Sequence, residues 1–173
     1  MTARGLLQER DGKRQIVDRP QLVALWVQAY VDVLRPKLAE RRLQVRAGDK
    51  RELWNRLHQT LPKHHIAWAL TGADAAERLT QFFRTEETEI YAPIRALEDR
   101  AVQKELVAQP TARAGNLLVI EPPGPLAFPP MAATGLPVAP ELLAYAELRY
   151  RGTAQALEAA EILLPKVLGD DAR

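Results

Sequence analysis

Residues 116–121 read Asn-Leu-Leu-Val-Ile-Glu, and no other stretch restricts the possible folds as strongly. Four consecutive apolar residues without alternation predict a strand that is buried on both faces. Such a strand needs a sheet around it and helices above and below. Several segments have helical spacing. Residues 21–34, after Pro20, place Leu22, Leu25, Trp26, Ala29, Tyr30 and Val33 on one face, with Val23, Val27 and Val31 on another, so this helix is expected to be buried on more than one face. Residues 50–61 follow Asp49 as an N-cap, put Leu53, Trp54, Leu57 and Leu61 inward, and stop at Pro62. Residues 73–83, 96–107, 141–150 and 154–168 complete the predicted helices, with Gly152 and Thr153 separating the last two. Further strands are expected at 43–45, 65–70 and 88–94. Residues 122–140 hold seven of the thirteen prolines and are expected to be an ordered loop or flap. Helices alternating with strands give an α/β or α+β fold, a mixed sheet flanked by helices.

At the front, Asp11-Gly12 between apolar flanks predicts a two-residue hairpin turn. Its tip would carry Arg10, Lys13 and Arg14, read either as a DNA-contacting wing or as an ordinary surface hairpin. A lone hairpin is marginal in water, so this one is expected to be loosely held or to pack on material outside the chain. Charge is uneven along the sequence. Residues 1–63 carry 14 Lys/Arg against 7 Asp/Glu, a net +7, and the remainder carries 10 against 15, a net −5. This division suggests two surfaces with different partners, or simply uneven solvated charge.

The chemistry is constrained mainly by what the 173 residues lack. There is no cysteine, so disulfides and thiolate chemistry are excluded, which fits a reducing cytoplasm. There is no serine, so a serine nucleophile is excluded. His58, His64 and His65 have no metal-ligand spacing, and no metal or cofactor is expected. Gly72 is the single glycine of a strand–turn–helix unit, fewer than a phosphate-cradling loop needs. No run of apolar residues is long enough to span a bilayer. Glu86, Glu87 and Glu89 form the one acidic constellation. Strand geometry puts Glu87 and Glu89 on the same side, where they read as a Mg²⁺-binding pair or as a solvated acidic edge.

Residues 19–38 (RPQLVALWVQAYVDVLRPKL), 68–79 (WALTGADAAERL), 116–123 (NLLVIEPP) and 138–164 (VAPELLAYAELRYRGTAQALEAAEILL) resemble the C-terminal region of AbiEi-type antitoxins. These are bacterial transcriptional regulators of type IV, abortive-infection toxin–antitoxin systems. The most specific parts are the LRPKL end of the first helix and the YAELRYRG tail. The resemblance implies a division into residues 1–18, a remnant wing of a winged helix-turn-helix without its recognition helix, and 19–173, an antitoxin effector domain. It implies DNA as partner of the intact protein, with weak, non-specific binding by this chain. It also implies functional opposition, without a stable complex, to a nucleotidyltransferase-like toxin. No catalytic residue is expected. The stretch LTGADAAERL followed by TEIYAP is similar to a degenerate nucleotidyltransferase core, with Gly72, Glu87 and Glu89 as a vestigial nucleotide or metal pocket. The competing reading is an active Mg-dependent nucleotidyltransferase-like enzyme, and a homodimeric scaffold is a third.

Overall fold

A computed structural model describes residues 6–10, 12–82, 85–111, 115–129 and 135–169. Its five-stranded mixed sheet has the order β4-β5-β7-β3-β6. The members are β3 (Glu40–Val45), β4 (Ala69–Leu70), β5 (Thr88–Tyr91), β6 (Ala108–Pro110) and β7 (Leu117–Ile120). β7 is central, parallel to β5 and antiparallel to β3, and all four of its residues are buried. The period of two divides them between two cores. Leu118 and Ile120 join Ala69 and Tyr91 under α1 (Arg19–Ala29), α3 (Gly72–Thr80), α6 (Glu141–Arg151) and α7 (Ala154–Leu168). Leu117 and Val119 join Leu43, Val45, Leu70 and Ile90 under α2 (Lys50–Thr60), α4 (Ile94–Leu97) and α5 (Arg100–Leu106). The helix-covered mixed sheet expected from the sequence is therefore present.

Local chemistry sets the element ends. Asp18, Asp49, Asp99 and Thr153 cap α1, α2, α5 and α7 through side-chain oxygens that accept backbone N–H groups. The cap at Asp99 splits the single helix expected over 96–107 into α4 and α5. Gly152 ends α6 at φ +67. β5 stops at Tyr91, two residues before Pro93, short of the predicted 94. The strand expected over 65–70 shrinks to two residues, because Pro62–His64 form a 3-10 turn and His65 takes a left-handed φ of +56. Residue 83, expected on the buried face of α3, lies outside the described residues. β6 was not expected. It is an edge strand, where Pro110 lacks a donor at little cost. Within the proline-rich stretch, Pro125–Ala127 form a 3-10 turn and Val138 bridges Leu70.

The sequence predicts an α1 buried on more than one face, and only part of each apolar set is buried. Val23, Val27 and Tyr30 are buried, while Leu25, Trp26 and Val33 are exposed. The helix is apolar nearly all round, so periodicity alone does not choose its buried side. A π-turn over Tyr30–Leu34 follows α1, and a 3-10 turn over Arg35–Lys37 follows that. Ahead of α1, β1 (Leu7–Arg10) and β2 (Lys13–Ile16) form the expected hairpin as a separate two-stranded sheet. Arg10 pairs with Lys13 across the loop, and Gly12 has φ +72, while Asp11 lies outside the described residues.

Ion pairs join the two charge halves across the fold. Five front-half cations pair with back-half acids: Arg35 with Glu147, Arg41 with Glu98, Arg42 with Glu87, Lys50 with Asp74 and Lys63 with Glu105. Folding interlocks the charges that the sequence separates.

Candidate functional site

The turn from β4 into α3 is Thr71-Gly72. Gly72 is buried at φ +51, and a Cβ there would run into the carboxylate of Glu89. That carboxylate lies across the start of α3, where Glu89 Oε2 accepts the Ala73 N–H at 3.0 Å. In return the Glu89 N–H donates to Asp74 Oδ2 at 2.7 Å, so helix start and strand are locked reciprocally. Glu89 Oε1 pairs with Arg151 from the last turn of α6. Glu87, one residue before β5, pairs with Arg42 Nε at 2.9 Å. Arg42 and Glu89 flank Leu118 in the same row of the sheet, which is why the two acid–arginine pairs are neighbours.

Gly72, Glu87 and Glu89, predicted to be close, are thus brought together. The chemistry of the cluster is neutralised, however. A Mg²⁺ ion needs carboxylate oxygens free to replace its water. Both oxygens of Glu89 are engaged inside the protein, and Glu87 faces a guanidinium, so the pair does not fit a divalent cation. Among the described residues no group of three or more His, Asp or Glu is placed to hold a metal. Asp74 has no exposed surface, and burial pushes its carboxyl up to about 7 against the pull of Lys50. Lys50 Nζ lies 2.7 Å from Asp74 Oδ1, 3.5 Å from Glu77 and 2.9 Å from the Thr85 carbonyl.

A second polar cluster adjoins the first and was missed from the sequence. Glu147, 5% exposed in the middle of α6, accepts the hydroxyls of Tyr30 at 2.5 Å and Tyr91 at 2.8 Å on Oε1. Arg35 Nε reaches both of its oxygens at 2.8 Å, and the guanidinium lies 4.5 Å over the Tyr150 ring. The π-turn makes this possible. Its Arg35 N–H bonds to the Tyr30 carbonyl, an i→i+5 closure that returns residue 35 to the side of residue 30. Burial, reinforced by Glu147, raises both phenols, so each acts as a neutral donor. Burial opposes the charge on Arg35, but Glu147 and Glu40 together outweigh it and hold the guanidinium protonated. The signal was present in the sequence. Arg35 belongs to LRPKL, and Glu147, Tyr150 and Arg151 belong to YAELRYRG, so the two most specific stretches meet in space.

The remaining candidates are dispersed. Arg10 ends β1, Lys13 opens β2 with an exposed side chain, and Arg14 pairs in register with Glu9, all away from Gly72 in the separate hairpin sheet. His64 Nε2 lies 2.9 Å from Glu105, and His58 meets Trp68 edge-on.

No helix among the described residues is long and apolar enough to cross a membrane. No curated protein and no solved structure matches the chain. The family model described as transcriptional regulator, AbiEi antitoxin, type IV toxin–antitoxin system matches residues 15–169, which take in both polar clusters. The chain belongs to the AbiEi antitoxin family, the transcriptional regulators of type IV toxin–antitoxin systems.

Proposed function

We propose that residues 19–173 are the effector region of such a regulator, which acts through binding and not catalysis and opposes a nucleotidyltransferase-like toxin without a stable complex with it. The observation that carries this reading is the occupation of Glu87 and Glu89 by Arg42 and Arg151. A glycine turn, a helix start and an acidic strand are in place, as a degenerate nucleotidyltransferase core would have them. Intramolecular arginines hold the positions that a working enzyme leaves to metal and nucleotide. The hairpin of residues 1–18, with Arg10, Lys13 and Arg14, is assigned to weak, sequence-independent DNA contact in the cytoplasm, linked to control of the regulator's own operon. The test has two arms. Co-expression with the nucleotidyltransferase-like toxin of the same operon should restore growth, and Glu87→Gln should leave the rescue unchanged. Purified protein with ribonucleoside triphosphates and Mg²⁺ should transfer no nucleotide to RNA or protein. Failure to rescue, or rescue abolished by Glu87→Gln together with nucleotide transfer, would reject the binding reading in favour of an enzyme.

A further inference from the structure

Between α2 and α3, one to two turns along α3 from Gly72, lies a cleft of about 460 Å³ that meets the first polar cluster only at Glu77. Each wall presents one arginine and one carboxamide, with Gln81 coming from the left-handed cap that ends α3. α2 contributes Arg51 and Asn55, spaced i,i+4, and α3 with its last turn contributes Arg78 and Gln81, spaced i,i+3. Trp54 and Leu136 also line the cleft. Its one acid, Glu77, is already held by Lys50. Among the described residues neither Arg51 nor Arg78 makes an ion pair.

The position of Arg51 is itself informative. It stands in the first turn of α2, where the positive end of the helix dipole disfavours a cation. Lys50 beside it is compensated by Asp74 and Glu77, and among the described residues Arg51 has no such partner. Two permanently charged guanidiniums therefore line one cleft, and among the described residues neither is ion-paired.

We propose that this cleft binds a nucleotide, with its phosphate gripped by Arg51 on one side and Arg78 on the other. A carboxylate has two oxygens and one guanidinium fork saturates it, whereas a phosphate has enough oxygens for two forks from opposite walls. The volume lies within the range of about 300–1,000 Å³ usual for small-molecule sites and leaves room beyond the phosphate. Asn55 and Gln81 each offer a donor beside an acceptor, the pairing that matches base edges. This site is separate from the Gly72–Glu89 cluster and does not depend on it.

The test is calorimetric titration of the full chain with the four ribonucleoside 5′-monophosphates, with inorganic phosphate and with a DNA duplex. At least one nucleotide should bind with a Kd of about 1 mM or tighter. Arg51→Ala and Arg78→Ala should each weaken it by about tenfold, and Arg78→Lys should recover only part, because an ammonium lacks the planar fork. Arg100→Ala, an exposed arginine on α5, should change it less than about twofold. Arg51 and Arg78 are exposed, and circular dichroism should show the variants folded. The proposal is overturned if no nucleotide binds, if inorganic phosphate binds as tightly as the best nucleotide, if only the duplex binds, or if Arg100→Ala matches the cleft variants.

Discussion

Two residues in the Gly72 cluster make opposite demands on charge. Glu89 is 4% exposed, and Arg151 is its cationic partner there. Arg151→Ala removes that cation and leaves a buried anion, a change that costs about 3–5 kcal/mol. Glu89→Gln is expected to cost less, about 1–2 kcal/mol. The amide oxygen can still accept the Ala73 N–H, and Arg151, on the more open side of the pair, can turn to water. Urea midpoints of the two variants should therefore fall in that order, and equal losses would show that Glu89 is held mainly by α3. Asp74 behaves differently, because its carboxyl is raised from 3.8 to about 7. In that window the folded protein binds more protons at this group than the unfolded chain does, so its contribution to stability is present at about pH 4 and is lost as pH rises through 7. Asp74→Asn keeps an acceptor for the Glu89 N–H and does not titrate. The stability difference, wild type minus variant, should decline between pH 4 and 7. A flat difference would mean that Lys50 keeps Asp74 ionised throughout.

Helix α1 shows what periodicity can and cannot decide about an element. Its existence, its start beside Pro20 and its length were legible in the sequence, and its buried side was not. Leu25 and Trp26 repeat with helical spacing as well as Val23 and Val27 do, yet Leu25 is 37% exposed and Val27 is 6% exposed. The choice is made by a partner that periodicity does not see. Tyr30 must face Glu147, and the π-turn must return Arg35 to the same carboxylate. Those two contacts fix the rotation of the helix and turn Val23 and Val27 toward α6 and α7. Val27→Ala should then cost about 2 kcal/mol, from two methyl groups and the cavity they leave. Leu25→Gln should stay within about 0.5 kcal/mol of wild type. The reverse order in thermal denaturation would mean that the buried face is the one carrying Leu25. The short strands follow the same logic. β7 was legible because continuous apolar burial has few alternatives, whereas β6 was not, since Ala-Gln-Pro carries no strand signal and is paired only because β3 offers it a ladder.

At the scale of the molecule, the sheet and the sequence positions that meet in the Gly72 cluster were readable, and their neutralisation was not. Arg42 and Arg151 are 47 and 62 residues from Glu89, and only the fold brings them to the acids. The same interlocking bears on DNA. The +7 of residues 1–63 looks like a nucleic-acid surface in sequence, but Arg35, Arg41, Arg42, Lys50 and Lys63 are all committed to acids of the other half. The hairpin keeps its cations in a separate sheet, with Lys13 exposed at the start of β2. Contacts from so few cations neutralise about three phosphates, and each neutralised phosphate releases about 0.9 counterion, so the logarithmic salt slope should be roughly −3. Affinity should lie at the weak end of the non-specific range of about 10⁻⁴–10⁻⁶ M, because the hairpin offers few phosphate contacts and five cations of the front half are held in ion pairs. Fluorescence anisotropy on two unrelated duplexes at two salt concentrations should give matching curves with that slope. Lys13→Ala with Arg14→Ala should flatten the slope toward −1, since the tip then retains a single arginine. A slope of −6 or steeper would place the contact on cations that the ion pairs should have withdrawn, and nanomolar binding to one duplex alone would require a base-reading element that the hairpin does not have.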